Sequence, residues 1–433
     1  MLIRRATTLD GAMVDLRVGE RIDEVADNLA PRAGEEVFDA AGGTVLPGLH
    51  DHHVHLYAAA AAATSVQVGP PQVRDREALA NMLANSRPGD DGWIRAVGYH
   101  DSVAGPLDRA LLDSMIPSVP VRVQHRSGVL WILNSAGLAA IGLPEHSDGR
   151  LRSTDSWSDA LTRRETGLAE LSNRLSRYGV TGITDATPDI GATDIVRLTE
   201  LHRKDELRQR MHFLAPGKRI LHDDALDLDE LAGWIALRHH SGGPVAIHCV
   251  TAAQLIVAIA ALRQAGTHPR DRIEHAAVVP QDSVGDLATL AVTVVTQPNF
   301  VAERGDQYLD EVPTTEHDQL WRVASLLRAG VAVVLSTDMP FGDADPWASM
   351  RAAVHRTTPS GAVLGADERI SARTALTMFF GCPDEPTRLR AVAPGEPADL
   401  CVLRLPPAAA LAELDVDMVA ATIIGGKIVY VAG

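Results

Sequence analysis

Between residues 164 and 338 the chain repeats one local unit: a helical pattern, a turn usually marked by glycine, and a short apolar strand. Helical periodicity covers residues 164–178, 195–206, 229–240, 252–264, 282–290 and 316–329, and Gly179, Gly242-Gly243, Gly266 and Gly330 stand at the ends of four of them. The strands that follow, at 180–186, 210–215, 244–250, 271–279, 292–298 and 331–338, are rich in Val, Ile and Ala. Apolar strands alternating with helices predict a parallel sheet buried on both faces. Residues 50–56 and 119–126 bring the count to about eight strands, which favours an α/β fold of the (β/α)8 TIM-barrel type. No GxGxxG or GxxxxGK sequence supports an open nucleotide-binding sheet.

The 433 residues suit one large barrel plus a modest second domain. Short strands at 2–5, 13–18 and 37–39 return in style at 394–405 and 421–432, the last with Gly425-Gly426 as a hairpin turn. Residues 1–47 and 387–433 are therefore expected to build one small β-sandwich-like domain from both termini. The barrel is expected over 48–386, with insertions at about 57–118 and, as a polar loop, at 141–163. Insertions at the C-terminal ends of barrel strands shape substrate sites.

Those C-terminal strand ends carry the chemistry. They read His53 and His55, Asp185, His248, His275, Gln297 and Asp338. In an extended strand residues i and i+2 point the same way, so His53 and His55 aim two imidazoles at one point while Val54 packs behind. Charged groups at the ends of buried strands are costly unless paired or bound to metal. Histidine with carboxylate suits a borderline divalent ion, zinc foremost, and iron, manganese and cobalt fit the same donors. His52 is out of phase with this pair and His50 is a turn away, so both are expected to be structural.

A formal charge of −16 argues against nucleic acid or an anionic membrane as partner. No run of about 18 uncharged apolar residues predicts a membrane helix, and residues 1–16 lack the apolar core of a signal peptide. Cys249, Cys382 and Cys401 are too widely spaced for a disulfide framework or a CxxC zinc site, so a cytoplasmic location is expected.

The motif PGLHDHHVHL at 47–56 resembles the first-strand motif of the amidohydrolase superfamily. AIHCVT at 246–251, RIEHAAVV at 272–279 and LSTDMPF at 335–341 are similar to its fifth-, sixth- and eighth-strand motifs, in the same order. VPVRVQHRSGVLWILNSAGL at 119–138 resembles the second-strand neighbourhood of its YtcJ-like branch, which includes deformylases of N-substituted formamides. The resemblance implies that His53, His55 and Asp338 bind one divalent metal and that His248 and His275 bind a second. It also implies a carboxylated lysine bridging the two, for which Lys218 is the candidate; without that bridge one ion per chain remains.

In such a site metal-activated hydroxide attacks a C–N bond, with Asp338 as the catalytic carboxylate that moves the proton to the leaving nitrogen. An amide or formamide of a small molecule is the expected substrate. A deaminase, or a cyclic imide or lactam hydrolase, is the alternative on the same site, and a non-catalytic scaffold is disfavoured because all five His and Asp ligands are present. Gln124, His125 and Trp131 after the second strand, Gln297 and Arg304 after the seventh, and Trp347 after Asp338 are candidate substrate contacts. Dimers or larger homo-oligomers are common in this fold family and are expected here.

Overall fold

A computed structural model describes residues 1–152, 157, 167–188 and 190–433. Contacts divide the chain into two compact units, Met1–Leu56 with Ala169–Gly433, and Tyr57–Leu168.

In the first unit both termini enter a single sheet. Its strands run in the order Lys427–Val431, Val419–Ile424, Leu400–Leu403, Thr44–Pro47, Leu2–Thr8, Met13–Val18 and Ile22–Ala26, with Val37–Asp39 also beside Leu2–Thr8. Thr44–Pro47 joins the two halves: Thr7 pairs with Thr44 in parallel, and Leu46 with Cys401 antiparallel. Ile3, Leu16, Val45, Leu400, Val402 and Ile423 form its apolar core. The expected β-sandwich-like domain is thus one continuous hydrogen-bonded sheet. The predicted Gly425-Gly426 turn is present, with both residues at positive φ. A Cβ on Gly426 would lie 2.0 Å or less from the Gly19 carbonyl oxygen, at 1.9 Å, so only glycine fits.

The helix–strand repeats form parallel strand pairs. Leu49–Val54, Val180–Asp185 and Arg210–Phe213 are one set; Lys218–Ile220, Ala246–Cys249, Arg272–His275, Thr293–Thr296 and Ala332–Leu335 are the other. The far edges of the two sets are tied together, because Asp338 N donates to His53 O at 3.0 Å and His55 N to Met339 O at 2.9 Å. Parallel neighbours need a crossover of roughly a dozen residues. Only the Leu214–Gly217 turn, closed by Gly217 N to Leu214 O, separates Arg210–Phe213 from Lys218–Ile220. These two segments are therefore successive pieces of one kinked strand that pairs on both edges.

Residues 119–126 do not join this array, contrary to expectation. Val121–His125 pairs in parallel with Ile94–Tyr99 and antiparallel with Leu130–Leu133 inside the second unit. That unit is a five-stranded sheet, ordered Arg150–Arg152, Leu130–Leu133, Val121–His125, Ile94–Tyr99 and Val66–Gln67. Its core gathers Val68, Leu79, Leu83, Ile94, Val121 and Ile132. The insertion boundaries at 57–118 and 141–163 are accordingly revised to the whole of Tyr57–Leu168. Within the expected polar loop, Arg150–Arg152 is a strand, and residues 153–156 and 158–163 lie outside the described residues.

Two local expectations also change. The helix expected at 316–329 is a 3-10 turn over Thr314–Gln319 and a short helix over Ala324–Arg328. Trp321 interrupts it at φ 51° while its N–H donates to Ala277 O. Trp347, expected on a pocket wall, is fully buried on the helix Pro346–His355, and its indole N–H donates to Tyr178 O at 2.9 Å. Trp347→Ala should lower stability by about 3–5 kcal/mol through the cavity it leaves, read as a lower midpoint in urea denaturation; an unchanged midpoint would place the indole outside the core.

Candidate metal centre

Leu49–Val54 is buried along its whole length, and His53 and His55 follow the i, i+2 alternation to the same side. Asp338 meets both of them. His53 Nε2 lies 3.6 Å and His55 Nε2 3.4 Å from Asp338 Oδ1, and His275 Nδ1 lies 3.9 Å from Oδ2. The His275 ring stands 4.7 Å from that of His53 and 4.5 Å from that of His248, centroid to centroid. Lys218, 5% exposed, faces the same group from the kinked strand: its charge acts on His53, His248 and His275.

Two backbone distortions make this convergence possible. His275 has φ 71° and Asp338 φ 56°, left-handed values that cost L-residues about 1–3 kcal/mol. In a regular strand Glu274 and His275 would point to opposite faces. The turn at His275 lets both reach His53: Glu274 Oε2 lies 2.5 Å from His53 Nδ1, and the two imidazoles adjoin.

The remaining ring nitrogens are oriented from behind. Glu274 is fully buried and is held by Arg272, whose Nε donates to Oε1 at 2.7 Å. His53 Nδ1 is thus taken by carboxylate, which leaves Nε2 facing Asp338. Gln297 Oε1 accepts at 2.9 Å from His275 Nδ1 and its amide donates to Ser336 Oγ at 2.8 Å, so this residue positions a histidine. Thr187 Oγ1 lies 3.4 Å from His55 Nδ1. Asp51 accepts from Thr337 N and Oγ1, tying the first strand to the segment that carries Asp338.

Three buried polar atoms in this group have no hydrogen-bond partner: His53 Nε2, Asp338 Oδ1 and Lys218 Nζ. Unpartnered buried atoms are rare and costly. Burial holds the imidazoles of His53 and His248 well below their usual pKa, in the neutral form that ligates metal. Burial also pushes Lys218 down to about 8. For Asp338 burial opposes ionisation, yet the contact with His55 and the positive charge of His275 and His53 bring it to about 2. The donor set of imidazole nitrogens and carboxylate oxygen suits a divalent cation. Among the described residues His53, His55 and Asp338 are the group whose donor atoms all lie within 4.8 Å of one another.

The other sequence candidates make contacts of their own. Asp185 caps backbone, accepting from Leu56 N and Thr187 N at 2.9 Å each, and makes no bond to a histidine. Residues 299–311 are helical, and Arg304 there donates to the Phe341 carbonyl and lies 4.4 Å over the Phe300 ring. One terminal nitrogen of its guanidinium is thus held by a backbone carbonyl. Gln124, His125 and Trp131 belong to the second unit, where Gln124 Nε2 donates to Gly128 O, His125 contacts Ser127 Oγ, and Trp131 meets the Trp157 ring at 5.7 Å. His50 bonds Thr184 Oγ1 at 2.8 Å, away from the ligand set. Glu274 and Arg272 are the contributors that strand alternation hid.

A model of the amidohydrolase family matches residues 36–430 of this chain. The chain is 26% identical, over 82% of its length and 81% of the relative's, to the N-substituted formamide deformylase of Arthrobacter pascens. An uncharacterized metal-dependent hydrolase from Pyrococcus horikoshii shares the fold with a TM-score of 0.73 and 19% identity, covering 94% of this chain and 97% of that one. The 5-methylcytosine deaminase of Klebsiella pneumoniae aligns with a TM-score of 0.57 and 15% identity over 100% and 98%. A family match over nearly the whole chain, falling on strands that bring His53, His55 and Asp338 together, shows that this protein belongs to the amidohydrolase family and is a hydrolase.

Proposed function

We propose that the protein is a metal-dependent amidohydrolase that hydrolyses the C–N bond of a small amide or formamide, at the strand-end face of a (β/α)8-type barrel. The observation that carries this reading is the group of His53, His55 and Asp338, whose donor atoms lie within 4.8 Å of one another while His53 Nε2 and Asp338 Oδ1 are buried without a hydrogen-bond partner. The formamide preference draws on the relative of that name at 26% identity. His53, His55 and Asp338 would hold one ion, and His248 and His275 a second. Lys218, carboxylated on Nζ, would bridge them. Zinc fits this donor set best.

When bound, the divalent ions supply Lewis-acid polarisation of the substrate carbonyl and a lowered pKa for water. The chain's own residues do the rest. Glu274 and Gln297 hold the rings of His53 and His275 in one tautomer. Asp338 takes the proton of the attacking water on its carboxylate and delivers it to the departing nitrogen, so that the amine leaves neutral. The apolar strands around the group exclude bulk water, which strengthens each of these polar contacts.

Purified protein should contain two divalent ions per chain by mass spectrometry and release formate from N-formyl amines. Turnover of aminated heterocycles in their place would move the assignment to a deaminase. No stoichiometric metal, with no activity after metal reconstitution, would end the hydrolytic reading of this site. Asp338→Asn should reduce kcat by about 100-fold or more, the usual range for a lost general acid–base.

Lys218→Ala should drop the metal content from two ions to one, since the bridge is lost; a full complement would exclude the carboxylated lysine. Glu274→Gln should weaken metal retention against a chelator by about 10- to 100-fold, and unaltered retention would show that His53 needs no carboxylate behind it.

A further inference from the structure

A second charged cluster lies away from the ligand set. A cavity of about 160 Å³ opens at the starts of the strands Ala246–Cys249 and Arg272–His275, whereas His248 and His275 stand toward their ends. Its polar lining is Arg238, Arg270, Arg272, His212 and Asp384. Arg272 is 4% exposed, and its Nε and one terminal nitrogen are committed to Glu274 and the His52 carbonyl. Its other terminal nitrogen, Nη1, is buried with no hydrogen-bond partner, and so is Nε of Arg238. Among the described residues Arg238 and Arg270 form no ion pair. Asp384 is the one carboxylate of the lining, sits exposed, and lies 3.9 Å from Arg388 outside it. Three guanidinium groups thus share a cavity with a single carboxylate that has another partner.

Buried, unpaired guanidinium nitrogens are costly, and an anion relieves that cost. The three arginines come from a helix end, a loop and a strand, so they approach from different directions. That arrangement favours an acceptor with oxygens pointing several ways, since arginine engages oxyanions through paired N–H donors. The volume exceeds several times the roughly 30 Å³ that one water occupies, enough for a small ion with hydration. We propose that this cavity binds a small tetrahedral oxyanion of the phosphate class, held by Arg238, Arg270 and Arg272. Arg272 also grips Glu274, which contacts His53, so the bound anion fixes the group behind the first metal ligand. Binding itself does not rest on the proposed metal chemistry; only this coupling does.

The test uses the whole metal-loaded protein at constant ionic strength. Phosphate should raise Tm saturably in thermal denaturation and give a single site by calorimetry; formate and chloride should do neither. Arg238→Gln, and separately the exposed Arg270→Gln, should weaken phosphate binding by about 10-fold or more and leave phosphate-free turnover unchanged. Equal stabilisation by formate or chloride would overturn the proposal. So would full phosphate affinity in both variants, which would place the ion elsewhere, the metal centre included. Binding is read independently of turnover, so an inactive enzyme that still binds phosphate through these arginines would refute the hydrolytic reading alone.

Discussion

Glu274 is a carboxylate with no access to solvent, and much of the centre is arranged around keeping its charge partnered. Arg272 stands on one side and the His53 ring on the other. A lone buried carboxylate would be prohibitively costly, whereas one hydrogen-bonded on both sides is tolerable and rigid. The bond to His53 decides which ring nitrogen faces inward. Gln297 does the same for His275 with a neutral amide, and Asp51 fixes the distance between the first strand and the Asp338 segment. Side chains outside the group of His53, His55, His275 and Asp338 thereby set its tautomers and spacing.

Much of this was legible in the sequence. The change from alternating to helical periodicity located the parallel strands, and their polar ends named His53, His55, His248, His275 and Asp338, which the fold does bring together. Lys218 stood out only through the family resemblance, because its strand is three residues long and follows a tight turn. Glu274 was hidden for a physical reason: period-2 logic sends it to the face opposite His275, and only the left-handed backbone at His275 reconciles the two. Residues 119–126 misled because an apolar strand carries no mark of which sheet it will join; its partners there are Ile94–Tyr99 and Leu130–Leu133. Trp347 and Arg304 could not be placed from the sequence because position after a strand end does not fix side-chain direction. The first turns into the core and the second folds back on a backbone carbonyl.

The terminal sheet has its own link to the strand array. Asp399, next to Leu400–Leu403, accepts from Arg210 Nε at 3.1 Å at the start of the kinked strand and from Gly425 N at 2.7 Å in the hairpin turn. Thr422 Oγ1 donates to Ser176 O at 2.6 Å, at the helix that leads into Val180–Asp185. These are buried or half-buried contacts of high sequence separation. They make the sheet a brace for the second and third parallel strands, which carry none of the metal-competent histidines but hold the first strand in place.

The insertion of Tyr57–Leu168, two residues past His55, has a consequence for the order of assembly during synthesis. The first strand leaves the ribosome early, yet its neighbour Val180–Asp185 follows only after the whole inserted unit, and its closing partner at Asp338 comes later still. Contacts this distant in sequence form late and slowly. A nascent chain therefore displays a histidine pair with no carboxylate opposite it and no partner strand beside it. The group of His53, His55 and Asp338 is therefore complete only once the last parallel strand has docked.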